Sequence, residues 1–384
     1  MLYRTSAGLF PVTSGQRRLT RREAFTAGFA VMATGVAGCS SGAGDSPTPA
    51  RTPSATPPPP TPEFARTTDD WTTVQFDERN SGFAPKNTGP TAAVAPRWTT
   101  RIEGGISASP IAVDGVVFVA STDTSLYALR WDTGEIVETF PTGDLLTGTP
   151  TVSNGVIYVG SRDGNVYALP TMAFRAPEMV LERWRHDSRN GILGSLTVAD
   201  ETVYGGNQNG EVFALDTAAG IRKWLSPVGD YVDSAVAIGD EVVYVSSPAG
   251  RVVALDAGTG ETRWRTSVAG GLSTAPTVAD DRIYVGTTEH QVFGLEHRVY
   301  ALNAMDGSER WAVEPPWGTS TSAAVADGSV YVGTWGGQLH AFDAATGVER
   351  FATDLGSPVT GDPAVVSDTV VVTTQNGRVV GVDV

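Results

Sequence analysis

Two Glu-His pairs, Glu289-His290 and Glu296-His297, bring two of the chain's four histidines within eight residues of each other. Imidazole beside carboxylate suits zinc and its neighbours, so a metal site is one reading of that spacing. The other is a solvated hairpin arm with incidental charges, and on that reading no metal is expected. Asp114, Asp200, Asp240, Asp280 and Asp327 recur with a fixed period, which marks them as turn residues and not as an active site. Tyr158, Tyr204, Tyr244, Tyr284 and Tyr331 recur in the same way and read as strand packing. No Walker loop, HExxH, GxSxG or CxxCH occurs. Neither a catalytic residue nor a cofactor is expected.

The elements that carry these residues come in seven copies. VVFVAS, VIYVGS, TVYGGN, VVYVSS, RIYVGT, SVYVGT and VVVTT are centred on Phe118, Tyr158, Tyr204, Tyr244, Tyr284, Tyr331 and Val371, at spacings of 40, 46, 40, 40, 47 and 40 residues. A fixed period near 40 in a strand-rich chain marks stacked units that cannot bury their apolar faces alone. In each copy a strand of small residues meets a polar turn (Asp114-Gly115, Asn154-Gly155, Asp327-Gly328) and then an alternating Val/Tyr strand. A second turn (Asp163-Gly164, Asn209-Gly210, Asn376-Gly377) leads to a third strand. Asn-Gly and Asp-Gly suit turns with two positive φ angles, so both turns are predicted to be tight hairpins. A fourth strand ends in Trp184, Trp224, Trp264, Trp311 or Phe351. Four antiparallel strands per unit, repeated radially, predict an all-β, seven-bladed β-propeller. A linear β-solenoid is the runner-up and offers no reason for four strands per unit.

The seventh copy stops at Val384 without its aromatic strand, and Pro96-Arg97-Trp98-Thr99-Thr100 carries the missing pattern before the first copy. That N-terminal segment is predicted to complete the last blade and remove an open sheet edge. The first blade matches least well, since Phe140 comes two residues late.

The run x-P-x-V-x-D-G-x-V-Y-V-G-S-x-D-G-x-V-Y-A-L-D-A-x-T-G-x-x-x-W, clearest over Asp240 to Trp264 and Pro276 to Asn303, resembles the pyrroloquinoline-quinone-type propeller repeat. Asp70-Trp71 to Phe83, with Gly89-Pro90, resembles the entry segment of such proteins, so the likeness covers residues 70–384. Its members include quinoprotein dehydrogenases, the propeller lipoprotein of the outer-membrane β-barrel assembly machinery, and many cell-surface proteins. The repeat therefore implies a fold and leaves function open. The enzymes usually have eight blades, a longer chain, vicinal cysteines, and a Glu/Asn/Asp calcium set with an Asp base. This chain has one cysteine, and no calcium set maps onto it. A non-catalytic module that binds another protein is the expectation. A dehydrogenase using pyrroloquinoline quinone and calcium is the alternative, with polysaccharide or small-ligand binding as a third.

Everything before the repeats reads as address and tether. Thr20-Arg21-Arg22-Glu23-Ala24-Phe25 is a twin-arginine pattern, and the 15 residues 24–38 that follow are too short for a spanning helix. Val36-Ala37-Gly38-Cys39 resembles a lipobox, so residues 1–38 read as an export signal and Cys39 as the lipidated residue. Residues 39–69, with Pro57-Pro58-Pro59-Pro60, have the composition of an extended, semi-rigid stalk. The expected location is the outer face of the cytoplasmic membrane, held by the lipid alone. A net charge of −15, with two lysines against 25 arginines, argues against nucleic acid or anionic lipid as partner of the propeller. It also suits a halophile, the plainer reading being an acidic secreted protein of a high-GC genome.

Side chains that break the period carry the functional expectation. The loops from each fourth strand to the next inner strand should ring one mouth of the channel, and they contain Arg185, His186 and Arg189, Tyr231 and Asp233, Trp317, and Asp362. Arg185, His186, Tyr231, Asp233 and Trp317 are the candidate contact residues for an envelope or secreted protein bound by a monomeric propeller. The insertion from Pro170 to Leu181, with Met172 and Phe174, is expected to cover an edge or offer an apolar contact.

Overall fold

A computed structural model of the chain describes Asp77 and residues 97–175, 182–272, 274–287, 297–366 and 369–384. Arg21, Arg22, Cys39, the stalk, the entry segment apart from Asp77, Glu289, His290 and Glu296 lie outside the described residues. What is described forms seven antiparallel sheets: six have four strands and the last has three. Each sheet follows chain order from inner to outer strand, as in Ile111–Val113, Val116–Ala120, Ser125–Arg130 and Ile136–Pro141 of the first blade. The inner strands lie side by side around the channel. Thr151, Thr197 and Thr277 each donate a hydroxyl hydrogen bond, at 2.6, 2.6 and 2.7 Å, to the next blade's backbone at Leu196, Val236 and Ala323.

The first turns at Asp114-Gly115, Asn154-Gly155 and Asp327-Gly328 are as the sequence predicts, each with two positive φ angles. Asp114 and Gly115 have φ of 49° and 77°, and Val113 pairs directly with Val116, so two residues close the hairpin. The second turn differs. Gly164, Gly210 and Gly377 have positive φ, but Asp163, Asn209 and Asn376 do not. The loop is four residues long, because Ser161 N–H bonds Asn165 O at 3.0 Å and Gly164 N–H bonds Ser161 O at 3.1 Å. Asp163 caps it by accepting the Asn165 N–H at 2.8 Å, a local bond that favours this wider turn.

Blades are clamped to one another by the periodic aromatics. Trp224, Trp264 and Trp311 donate their indole N–H to Ala257 O, Ala304 O and Ala344 O of the next blade at 2.9, 2.9 and 3.0 Å. Tyr204, Tyr244 and Tyr284 donate to the same three carbonyls at 3.3, 3.2 and 3.1 Å. Each indole lies on a glycine of the following blade: at Gly260, φ +75°, a Cβ would meet Trp224 Cε3 at 2.6 Å. Burial of the Tyr284 phenol pushes it up to about 12.

The first blade shows why its pattern was weak. Glu138, not an aromatic, pairs with Ala128, where Trp184 pairs with Ala168 and Trp224 with Ala214. The gap is filled from the second blade's insertion. Thr171–Phe174 forms a short 3-10 helix whose buried Phe174 meets Phe118 edge-on at 5.3 Å. The described part of the insertion, Thr171–Arg175, packs onto the first blade's core, and Met172 stays exposed.

Candidate functional site: the channel mouth

Strand direction puts the fourth-to-first-strand linkers and the second turns on the same face, around the start of the inner strands. A cavity of about 260 Å³ opens there, lined by residues from all seven blades. Its wall is a girdle of side-chain oxygens passed from blade to blade. Ser109 N–H donates to Thr149 Oγ1 at 3.0 Å and Thr149 N–H to Ser195 Oγ at 2.8 Å. Ala275 N–H donates to Ser322 Oγ at 3.1 Å and Ser322 N–H to Asp362 Oδ1 at 2.7 Å. The run breaks at Ala235 and Ala275, which have no side-chain oxygen to offer.

Two carboxylates face this space, those of Asp233 and Asp362. Asp362 keeps contact with the channel while protein surrounds it, and that burial pushes its carboxyl up despite the Ser322 bond. Among the described residues no three His, Cys, Asp or Glu side chains gather as a metal would need. Among the described residues the lining also carries no basic side chain.

The candidate contact residues separate into two groups. Arg185 and His186 lie within the outer strand Trp184–Asp187, not in a linker. The Arg185 guanidinium stands 5.7 Å over the Tyr167 ring. His186 Nδ1 lies 2.9 Å from Gly220 O, in the slot that Ser226 and Thr266 fill with bonds to Gly260 O and Gly307 O. It is a clamp residue, and burial lowers its basicity. Tyr231 and Trp317 do lie in linkers and are exposed, 41 % and 72 %. Burial raises the Tyr231 phenol, helped by Asp233 and Asp230. His297, from the extended fifth-blade hairpin, is packed against Gly318, where a Cβ would meet its Nδ1 at 2.8 Å.

One residue escaped the sequence reading. Trp335, 46 % exposed, stands in the second turn of the sixth blade. The signal was available: Trp335-Gly336-Gly337 replaces the usual Asp-Gly or Asn-Gly of this turn, breaking the period as Trp317 does.

These features define a seven-bladed propeller with a polar central channel and aromatics at one mouth. The family model described as outer membrane protein assembly factor BamB matches residues 91–169, 138–230, 226–298 and 295–384, and the chain belongs to that family. Its fold is similar to the crystal structure of BamB from Moraxella catarrhalis, with a TM-score of 0.63 at 19 % identity, over 74 % of this chain and 85 % of that one. It is also similar to quinohemoprotein alcohol dehydrogenase from Comamonas testosteroni, with a TM-score of 0.52 at 16 % identity, over 82 % and 77 %. No protein of curated function matches the chain by sequence.

Proposed function

We propose that this protein is a membrane-tethered, extracytoplasmic propeller that binds another envelope or secreted protein through its channel-mouth face. The carrying observation is that a ring of the assembly-factor family exposes Tyr231 and Trp317 at that mouth while the periodic Tyr158, Tyr204, Tyr244, Tyr284 and Tyr331 are buried. Large aromatics held out on a rigid scaffold are the side chains that dominate protein contacts. Residues 1–38 act as a twin-arginine signal read through Arg21 and Arg22, 39–69 as the stalk, and Cys39 as the lipid-bearing residue. Crosslinking and co-purification from membranes at high salt test the binding reading. Tyr231→Ala with Trp317→Ala should release the partner, whereas release by Met172→Ala instead would put the site on the opposite face. Cys39→Ser should shed the propeller into the medium, and retention of that variant on the membrane would sink the lipid anchor.

The quinoprotein reading is supported by the dehydrogenase neighbour. Against it, the two carboxylates of the described lining, with no basic side chain among those residues, would repel a tricarboxylate quinone. Purified protein given quinone and calcium should show no dye-linked dehydrogenase rate; a rate would restore the enzyme.

Ring closure through the N-terminal segment belongs with this proposal. Trp98 donates to Trp131 O at 2.8 Å and Thr100 to Gly134 O at 2.5 Å, and Gly134 lies under the Trp98 ring. That is the geometry by which the outer strands bearing Trp184, Trp224, Trp264 and Trp311 meet the next blade, so 96–100 is suited to be the fourth strand of the last sheet. Among the described residues no strand pairing joins it there.

A further inference from the structure

Trp317 occupies the third place of the turn Pro315-Pro316-Trp317-Gly318, closed by Gly318 N–H to Pro315 O at 3.4 Å, with φ of +71°. Positive φ at that place calls for glycine, and a bulky residue there is an outlier of the kind that gathers at binding sites. Other linkers take positive φ with Gly229, Gly270 and Gly356, or with Arg189. The indole gains no burial in return. One edge lies on Gly336, where a Cβ would come within 2.3 Å of Trp317 Cδ1. The matching place in other blades holds Asp123, Asp163, Asn209, Ala249 or Asn376, all with a Cβ, so glycine at 336 makes the room. Trp335 stands next to Gly336 in this turn, and its backbone N–H donates to Gly318 O at 3.3 Å. The sequence has thus accepted a strained turn and removed a side chain to hold two exposed indoles at one corner of the mouth.

We propose that Trp317 and Trp335 seat an arginine or lysine side chain from a basic segment of the partner protein. This rests on the protein-binding reading above. Indole faces attract cations more strongly than other aromatic rings do. The chain carries a net charge of −15, so a basic segment is the occupant its field draws in. The fold already uses such contacts, with Arg97 5.5 Å over the Trp131 ring and Arg185 over Tyr167. Among the described residues no cation covers Trp317 or Trp335 in that way, and Arg298 nearby in sequence to His297 is held by Glu314 at 2.7 Å.

The test is calorimetric titration of the full chain with a synthetic peptide of alternating glycine and arginine. At about 1 M salt, where screening cuts the reach of exposed charges to about 3 Å, general attraction is suppressed. The arginine peptide should bind, and its citrulline counterpart, alike in shape but uncharged, should not. Trp317→Gly and Trp335→Ala should each weaken binding about fivefold. Trp317→Gly should leave Tm unchanged or raised, because glycine relieves the turn. Unchanged affinity in both variants overturns the seat, and so does a lowered Tm in Trp317→Gly, which would make the ring a packing element. Trp-dependent binding of maltohexaose in place of the arginine peptide also overturns it, in favour of a polysaccharide ligand. Failure of the seat alone would show as unchanged peptide affinity with the membrane partner still co-purifying. Peptide binding intact with no partner recovered would instead strike the broader reading.

Discussion

Trp311 and Trp317 stand six residues apart in the chain and have opposite roles. Trp311 lies within the outer strand Glu309–Val313, is 8 % exposed, and gives its indole proton to Ala344 O of the next blade. Trp317 holds a positive-φ turn, is 72 % exposed, and lies on a glycine at the channel mouth. The first belongs to the belt of clamps that holds the ring together. The second is placed where it adds nothing to that belt. In a repeat protein the residues that keep the period are committed to cohesion, and those that break it are available for contact.

Breaking the belt should produce the largest effect. Trp224→Ala removes a buried indole, its bond to Ala257 O and its seat on Gly260, and should cost about 3–5 kcal/mol in chemical denaturation. A loss close to zero would mean that the clamps do not carry stability. Trp98→Ala should cost about 2 kcal/mol if residues 96–100 close the ring as an outer strand. A surface-like loss would leave the last blade three-stranded.

A matched pair of glycines sharpens the contrast. A Cβ at Gly260 would meet the Trp224 ring at 2.6 Å, and one at Gly336 would meet Trp317 at 2.3 Å. The Trp224 ring is confined between blades and Gly260 has φ of +75°, so Gly260→Ala should cost about 2 kcal/mol. The Trp317 ring can swing into solvent, so Gly336→Ala should cost under about 0.5 kcal/mol while shifting the indole fluorescence. Equal losses would erase the distinction between belt and mouth.

The smallest effect belongs to the channel wall. Asp362 has its pKa raised in the folded state, so folding binds a proton more tightly there than the unfolded chain does. Stability from this group is present below the unfolded value near 3.8 and is lost as pH rises through the folded value. Asp362→Asn keeps an acceptor for Ser322 N–H and removes the charge. It should flatten that decline and make the protein slightly more stable at neutral pH, as read from Tm against pH. A drop in Tm at pH 7 would mean that the carboxylate is needed ionised.

The propeller, its seven blades and the two-residue first turns were legible because each is written locally and repeated. Val/Tyr alternation sets the strands, and Asp114-Gly115 needs only its own φ angles to turn the chain. Tyr231 and Trp317 were legible as breaks in that pattern. The wider second turns were not, since the choice depended on whether Asp163 would cap the loop. Nor was the role of His186, which the sequence places among the linker contact residues but which Gly220 O of the next blade engages.

The amino-acid sequence by itself determined the fold, because a period near 40 forces identical units to bury their faces on one another. Tertiary structure alone decided which aromatics join the belt and which stand outside it. Those fates depend on partners in another blade: Ala344 O for Trp311, Gly336 for Trp317, and Phe174 filling the place Glu138 leaves open in the first blade. A contact between blades is set by the closed ring, and no single repeat contains it.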